Sequence, residues 1–285
     1  SNIPFYLVSS GLLCNMVLDP LLIFGVDGLF DGLGTRGAAI ATWLSQGFVV
    51  LLFVWQLRKK NAILSHFPFL IRLQSKPTRR IFRIGLPVAL MNLFFALINS
   101  TLARIASVYG GHLGISTQTT GGQIEGITWN TSQGFGTALS SFVAQNYAAN
   151  RMDRAQKAYR YTLSVMFLLG IVVTISFLFF GEQIFGIIIP EYEARIAGGN
   201  YLFIIGFSQI FMMVELTTQG MFNGMGRTLP PAMVSIVFNL ARIPLAVVLA
   251  SRMGINGVWW AIAISSIIKG MILFVWLNLD FLRKK

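Results

Sequence analysis

Residues 15–20 read Asn15-Met16-Val17-Leu18-Asp19-Pro20, and residues 34–37 read Gly34-Thr35-Arg36-Gly37. A similar pattern returns near the other end of the chain, as Asn239-Leu240-Ala241-Arg242-Ile243-Pro244 and Gly254-Ile255-Asn256-Gly257. Both copies keep the spacing from Asn to Pro and from Gly to Gly, and the glycine pairs lie 220 residues apart. Self-similarity at a fixed offset indicates a repeat. We therefore expect the C-terminal part of a protein about twice that length, with chance similarity between two apolar hairpins as the alternative.

The two copies differ in polarity at one position. Asp19 stands where the second copy has Ile243. A shared scaffold with different charges suggests a transporter repeat in which only one half has kept an ion site.

The composition indicates a membrane protein. Hydrophobic residues make up 55% of the chain and charged residues only 11%, whereas about 25% of residues are charged in soluble domains. The net charge of +12 clusters in alternate loops, so it reports topology and does not predict nucleic-acid binding. A lone cysteine excludes a disulfide framework, and two distant histidines suggest no metal site. The paired motifs of an intramembrane enzyme are also lacking, so we predict no enzymatic activity.

Eight apolar segments are long enough to cross the hydrocarbon core as helices. They are Ile3–Phe24, Gly37–Leu57, Ile84–Val108, Leu113–Tyr147, Tyr159–Phe180, Asn200–Phe222, Pro230–Ala250 and Asn256–Leu279. The fourth carries many Thr, Gln and Asn side chains, so we expect it to face a protein interior or a water-filled cavity. The predicted fold class is an all-α polytopic membrane protein.

The basic residues predict the orientation of these segments. Most Lys and Arg residues lie in the loops after the second, fourth and sixth segments and at the C-terminus, whereas the opposite loops hold only Arg36, Arg195 and Arg252. The C-terminus is therefore predicted to be cytoplasmic. Lys269 and Arg104 lie near segment ends, where snorkelling explains them.

Residues 58–83 form a basic stretch with Pro68 and Pro77 and no sustained apolar period. We interpret it as a cytoplasmic linker, either an amphipathic segment on the anionic inner leaflet or an ordinary solvated loop. It would join the last two helices of an N-terminal lobe, in residues 1–57, to a complete six-helix C-terminal lobe in residues 84–285.

Three stretches resemble the multidrug and toxic compound extrusion (MATE) family. Residues 15–25, followed by Gly37-Ala38-Ala39-Ile40-Ala41-Thr42, look like that family's fifth and sixth helices. A looser match is Gln145-Asn146-Tyr147-Ala148-Ala149-Asn150 with Arg154-Ala155, because Ala148 replaces a glycine and Asn150 ends the motif one residue early. The third is Gly220-Met221-Phe222-Asn223-Gly224-Met225-Gly226-Arg227-Thr228, like the turn after the tenth helix.

The resemblance covers the whole chain, as helices five to twelve of a twelve-helix, two-lobe fold with six-helix repeats. It implies a secondary antiporter of the inner (plasma) membrane that exports amphipathic or cationic compounds in exchange for H⁺ or Na⁺ by alternating access. The expected partners are these small molecules and the lipid bilayer, the full-length protein is expected to be a monomer, and no cofactor is expected beyond the coupling ion. The alternative is a flippase for lipid-linked oligosaccharides, which would need a more basic central cavity.

Asp19 is the first candidate for ion coupling. A carboxylate inside an apolar span costs about 2.5–3.5 kcal/mol unless it is solvated or paired. Asn15 lies one helical turn earlier on the same face, and Pro20 releases backbone carbonyls that could coordinate a cation. In the resembled family the matching Asn and Asp join a Thr on the next helix, here Thr42, in a cation or proton site, so Na⁺ at Asp19 is one prediction. A structural role at a kinked helix is the alternative.

A substrate cavity is predicted around the other acids at membrane depth. Glu125 shares its segment with amide side chains, and Glu215 has a basic partner in Arg242 on the next segment, although both acids could be structural. Methionine and phenylalanine suit an adaptable binding surface. The candidate cavity residues are Gln123, Glu125, Asn130, Met91, Phe95, Met212 and Glu215. The positions predicted to be structural, as polar or kink residues, are Pro20, Asn239, Arg242 and Pro244.

Overall fold

The computed structural model describes residues 2–26, 30–58 and 75–282, with side chains for 3–25, 31–58 and 93–281. Its elements are α1 (Asn2–Phe24), β1 (Gly25–Val26), β2 (Phe30–Asp31), α2 (Thr35–Leu57), α3 (Ser75–Ala148), α4 (Met152–Ile188), α5 (Tyr192–Gly224), α6 (Leu229–Met253) and α7 (Ile255–Leu282). In these described ranges, seven helices are long and apolar enough to cross a membrane. The prediction of a helical, multi-pass membrane protein is confirmed.

Helix α3 contains two of the eight predicted segments. It runs for 74 residues, which at 1.5 Å per residue would be nearly four times the thickness of a hydrocarbon core of about 30 Å. The helix is interrupted at Gly111, where φ is 58° and ψ is −152°. This left-handed backbone favours glycine. The third and fourth predicted segments are therefore the parts of α3 before and after Gly111.

The chain divides into two compact units, residues 1–79 and residues 80–285. The division lies inside the predicted linker 58–83, whose residues 59–74 fall outside the described part of the chain. The remaining linker residues, from Ser75, are already helical in α3. The assignment of these units to two lobes stays a prediction.

The first unit is a pair of antiparallel helices. Between α1 and α2, two short strands pair with Gly25 opposite Asp31. The buried residues of α2 are spaced four apart, so they form one stripe along the helix; they are Gly37, Ala41 and Ser45. The stripe packs on α1, where Gly11 lies against Val49 and Gly37 lies against the carbonyl group of Leu22.

The second unit is organised around α5. Among the described helices, α5 has the largest share of buried residues, because it packs against both α4 and α7. One core cluster includes Tyr201 and Trp259, whose rings meet edge to face with centroids 5.3 Å apart. A second cluster, around Phe222 and Leu277, lies towards the ends of α5 and α7. The second unit therefore places α5 where polar residues on it are shielded from lipid.

Candidate functional site

Asn15 and Asp19 contact each other on α1. The side-chain amide of Asn15 donates a hydrogen bond of 3.3 Å to Oδ1 of Asp19, as the spacing of one turn predicted. Both side chains are half-buried. Among the residues that the structure describes, no Lys, Arg or His nitrogen lies within 4 Å of this carboxylate. Asp19 therefore has a neutral partner and no fixed counter-cation in this part of the chain.

Thr42 does not complete this pair in the structure. Its hydroxyl group donates 2.9 Å to the carbonyl oxygen of Ala38 on its own helix. The packing of Gly37 on Leu22 and of Gly11 on Val49 puts Thr42 at about the level of Leu18, one residue from Asp19. Thr42 therefore lies close to Asp19 along the helix axis, but its hydroxyl group already donates its hydrogen bond to the backbone of α2.

The second unit holds a buried ion pair that the sequence analysis did not identify. Nζ of Lys269 on α7 lies 3.1 Å from Oε1 of Glu215 on α5. The two residues are 7% and 8% exposed. Snorkelling, the sequence interpretation for Lys269, is wrong, because this lysine points into the protein and pairs with an acid. Ser265, Ser266 and Lys269 share one face of an apolar helix, and that spacing was the signal that could have found them.

Arg242 is held by hydroxyl groups and not by the acid proposed for it. Its Nε donates 2.5 Å to Oγ of Ser265, and one terminal nitrogen donates 2.9 Å to Oγ of Ser266. The prediction that Arg242 pairs directly with Glu215 is wrong, since Lys269 takes that position, although the Arg242 charge still acts electrostatically on Glu215. The arginine joins α6 to α7.

Two more positions of the predicted structural set lie on α6. Asn239 is buried, and its side-chain oxygen has no hydrogen-bond partner in the described part of the chain. Pro244 lies inside α6, as Pro20 lies inside α1. A proline removes one backbone hydrogen bond of a helix, so each position leaves a carbonyl oxygen free for another partner.

Glu125 on α3 faces α5. Its Oε2 accepts a hydrogen bond of 3.3 Å from the hydroxyl group of Tyr201. Thr128, one turn further on, donates 2.9 Å to Oε1 of the fully buried Gln209. The charges of Arg242 and Lys269 also act on Glu125. The structure therefore brings Glu125 and Glu215 into one polar cluster with Arg242 and Lys269, drawn from four helices.

The remaining amide candidates lie on the exposed side of α3. Gln123 and Asn130 are both exposed, on the face where a cavity wall was predicted. Several exposed hydroxyl groups on this helix donate to its own carbonyl oxygens four residues earlier, among them Thr131, Thr137 and Ser141. A polar face is present, and a cavity beside it stays a prediction.

The apolar candidates differ in their surroundings. Phe95 is 49% exposed, whereas Met212 is 6% exposed and packs with Met166, Met213 and Leu216. The side chain of Met91 lies outside the described residues. A substrate role for these three stays a prediction, and for Met212 it would require its cluster to open.

Comparisons with known proteins identify the family. The profile of the MatE family matches residues 87–248, which is more than half of the chain. The chain belongs to the MatE family. Members of this family are membrane transporters and not enzymes, so the predicted family, fold class and lack of enzymatic activity are confirmed.

Relatives of this MatE chain include two curated bacterial proteins. The probable multidrug resistance protein NorM of Thermotoga maritima is 28% identical over 86% of this chain and 53% of its own length. The FAD transporter of Shewanella oneidensis is 26% identical over 94% of this chain and 59% of its own length. The chain thus spans little more than half the length of these relatives.

The fold also matches a solved structure. A MOP superfamily transporter from Pyrococcus furiosus superposes with a TM-score of 0.78 at 23% identity, covering 96% of this chain and 61% of its own. At that identity the likeness supports the fold alone.

Proposed function

We propose that the full-length protein is a secondary antiporter that exports amphipathic or cationic small molecules in exchange for H⁺ or Na⁺. It would act as a monomer in the plasma membrane, by alternating access, with its C-terminus in the cytoplasm. Multidrug resistance relatives support export as the direction of transport. The basic loops support the orientation.

One observation carries the coupling assignment. Asp19 is a carboxylate inside an apolar helix whose hydrogen-bond partner is an amide, and no fixed cation lies within 4 Å of it among the described residues. A carboxylate inside a membrane-spanning helix is stable only when its charge is neutralised or solvated. A proton or a Na⁺ ion would neutralise it, so Asp19 can exist in a loaded and an unloaded state.

The loaded and unloaded states would differ in how they hold a cationic substrate. Neutralising Asp19 removes a negative charge from its surroundings, which weakens the attraction for a cationic compound. Pro20 follows Asp19 directly and leaves a gap in the backbone hydrogen bonding of α1. A change of charge at Asp19 therefore acts beside the point where α1 can bend. Ion entry and substrate release would be linked by this competition.

The test is export of a fluorescent cationic dye from proteoliposomes that contain the full-length protein, under an imposed pH or Na⁺ gradient. Asp19→Asn should abolish gradient-driven export while the protein still reconstitutes. Asp31→Asn is the matched control, because Asp31 is exposed in β2 and its loss should leave export unchanged. Undiminished export by Asp19→Asn would contradict the assignment.

A second candidate function is the export of anionic compounds. Arg242 is a buried cation whose direct partners are two neutral hydroxyl groups, and the relative from Shewanella oneidensis is named an FAD transporter. Gradient-driven transport of FAD by the same proteoliposomes, lost in Arg242→Gln while cationic dye export persists, would favour this alternative. Failure to move FAD while moving the dye would exclude it.

A further inference from the structure

Glu215 and Lys269 form their ion pair deep inside the second unit. The carboxylate oxygen and the ammonium nitrogen are 3.1 Å apart, and each residue is less than a tenth exposed. Each lies at least nine residues from the nearer end of its helix. A charge at such a depth is retained only where another charge compensates it, so each residue depends on the other.

The backbones of α5 and α7 are in close contact beside the ion pair. Gly270 follows Lys269, and a Cβ atom built at Gly270 would lie 2.4 Å from the carbonyl oxygen of Phe211. Phe211 is one turn before Glu215 on the same face of α5. The two helices therefore touch beside the ion pair, which places Lys269 on α7 close to Glu215 on α5.

The ion pair balances its own charge. Oε1 of Glu215 lies against Nζ of Lys269, and Arg242 on α6 and Glu125 on α3 act electrostatically on the lysine. Without the lysine, the buried carboxylate of Glu215 would lose the cation that lies against it. One monovalent cation would restore the balance of this pair.

We propose that Lys269 is the resident cation of a monovalent-cation site centred on Glu215. Carboxylate oxygens are ligands that hard cations take, and here the ammonium group of Lys269 lies against Oε1 of Glu215. The wild-type protein therefore does not bind Na⁺ at Glu215. The inference rests on the proposed function in one respect, because it leaves Asp19 as the acid that is free to take the coupling ion.

The test is equilibrium binding of radioactive ²²Na⁺ to the purified full-length protein. Lys269→Met should bind one Na⁺ more per protein than the wild type, and Lys269→Met combined with Glu215→Gln should bind no more than the wild type. Lys157→Met is the matched control, because this lysine is exposed on α4. If folded Lys269→Met binds no additional Na⁺, the proposal is overturned.

A second variant tests the claim that the wild-type protein binds no Na⁺ at Glu215. Glu215→Gln alone should bind as many Na⁺ ions as the wild type, since Lys269 already excludes Na⁺ there; a loss of one bound ion would overturn the proposal. A purely structural ion pair would change stability and leave the Na⁺ count of Lys269→Met equal to that of the wild type. The numbers of bound Na⁺ ions are measured without transport. A failure of Asp19→Asn to affect export would therefore contradict the proposed function and leave this proposal unaffected.

Discussion

Gly220 of α5 lies directly against Gly136 of α3. A Cβ atom at Gly220 would come within 2.4 Å of the Gly136 carbonyl oxygen. Four residues later Gly224 packs in the same way against Ser140 and Val143. The backbones of the two helices are therefore in contact over a full turn, and this contact holds α3 in place beside α5.

Gly220→Ala should destabilise the protein by about 1–3 kcal/mol, because the added methyl group forces the two backbones apart. Thermal unfolding of the full-length protein in detergent, followed by tryptophan fluorescence, measures the loss. Gly134→Ala is the control on α3, where a Cβ atom meets nothing within 4 Å. Equal unfolding temperatures for the two variants would show that the contact is not tight.

Asn15→Ala should weaken the ion coupling proposed for Asp19. It removes the amide that donates to the carboxylate, and a hydrogen bond to a charged group contributes about 1.5–3 kcal/mol. We expect the ion concentration for half-maximal dye export to change by about tenfold or more. Ser10→Ala, which removes a hydroxyl group that donates to the Leu7 carbonyl oxygen of the same helix, should leave that concentration unchanged. The same response from both variants would contradict a specific role for Asn15.

Arg242→Ala should be strongly destabilising, at about 3–5 kcal/mol, because it leaves buried acids without one of their cations. Its hydroxyl partners on α7 also lose a donor. Chemical denaturation of the full-length protein in mixed micelles measures this cost. Arg252→Ala is the matched control in the last turn of α6, where the arginine is exposed. Adding Glu125→Gln to Arg242→Ala should recover part of the loss; no recovery would mean that the two charges are not coupled.

Tyr159→Phe should cost about 1 kcal/mol, the net value of one hydrogen bond. The hydroxyl group of Tyr159 lies 3.0 Å from Oγ1 of Thr218, which already donates to Val214, so the tyrosine is the donor. Tyr161→Phe, on the same helix and 65% exposed, should cost nothing in the same unfolding measurement. A loss from Tyr161→Phe as large as that from Tyr159→Phe would point to a general effect of the substitution.

The sequence predicted the helices better than it predicted their contacts. Apolar length located most of the spans, and the one-turn spacing of Asn15 and Asp19 correctly predicted a contact, because both are properties of a single helix. Lys269 was misread because its partner, Glu215, lies 54 residues away in the chain. Only the packing of α7 on α5 brings the two together, and no local pattern reports that packing. The spacing of Ser265, Ser266 and Lys269 marks a polar face of α7, but it does not show that Arg242 of α6 is the residue that the serines contact.

The hydroxyl groups on the outer face of α3 hydrogen-bond to the helix that carries them. Thr131 and Thr137 donate to carbonyl oxygens one turn earlier, so both ends of each bond move together. Movement of this face relative to water, lipid or another helix would break none of these bonds. These hydroxyl groups can therefore face a neighbouring helix without forming hydrogen bonds that a movement of that helix would have to break.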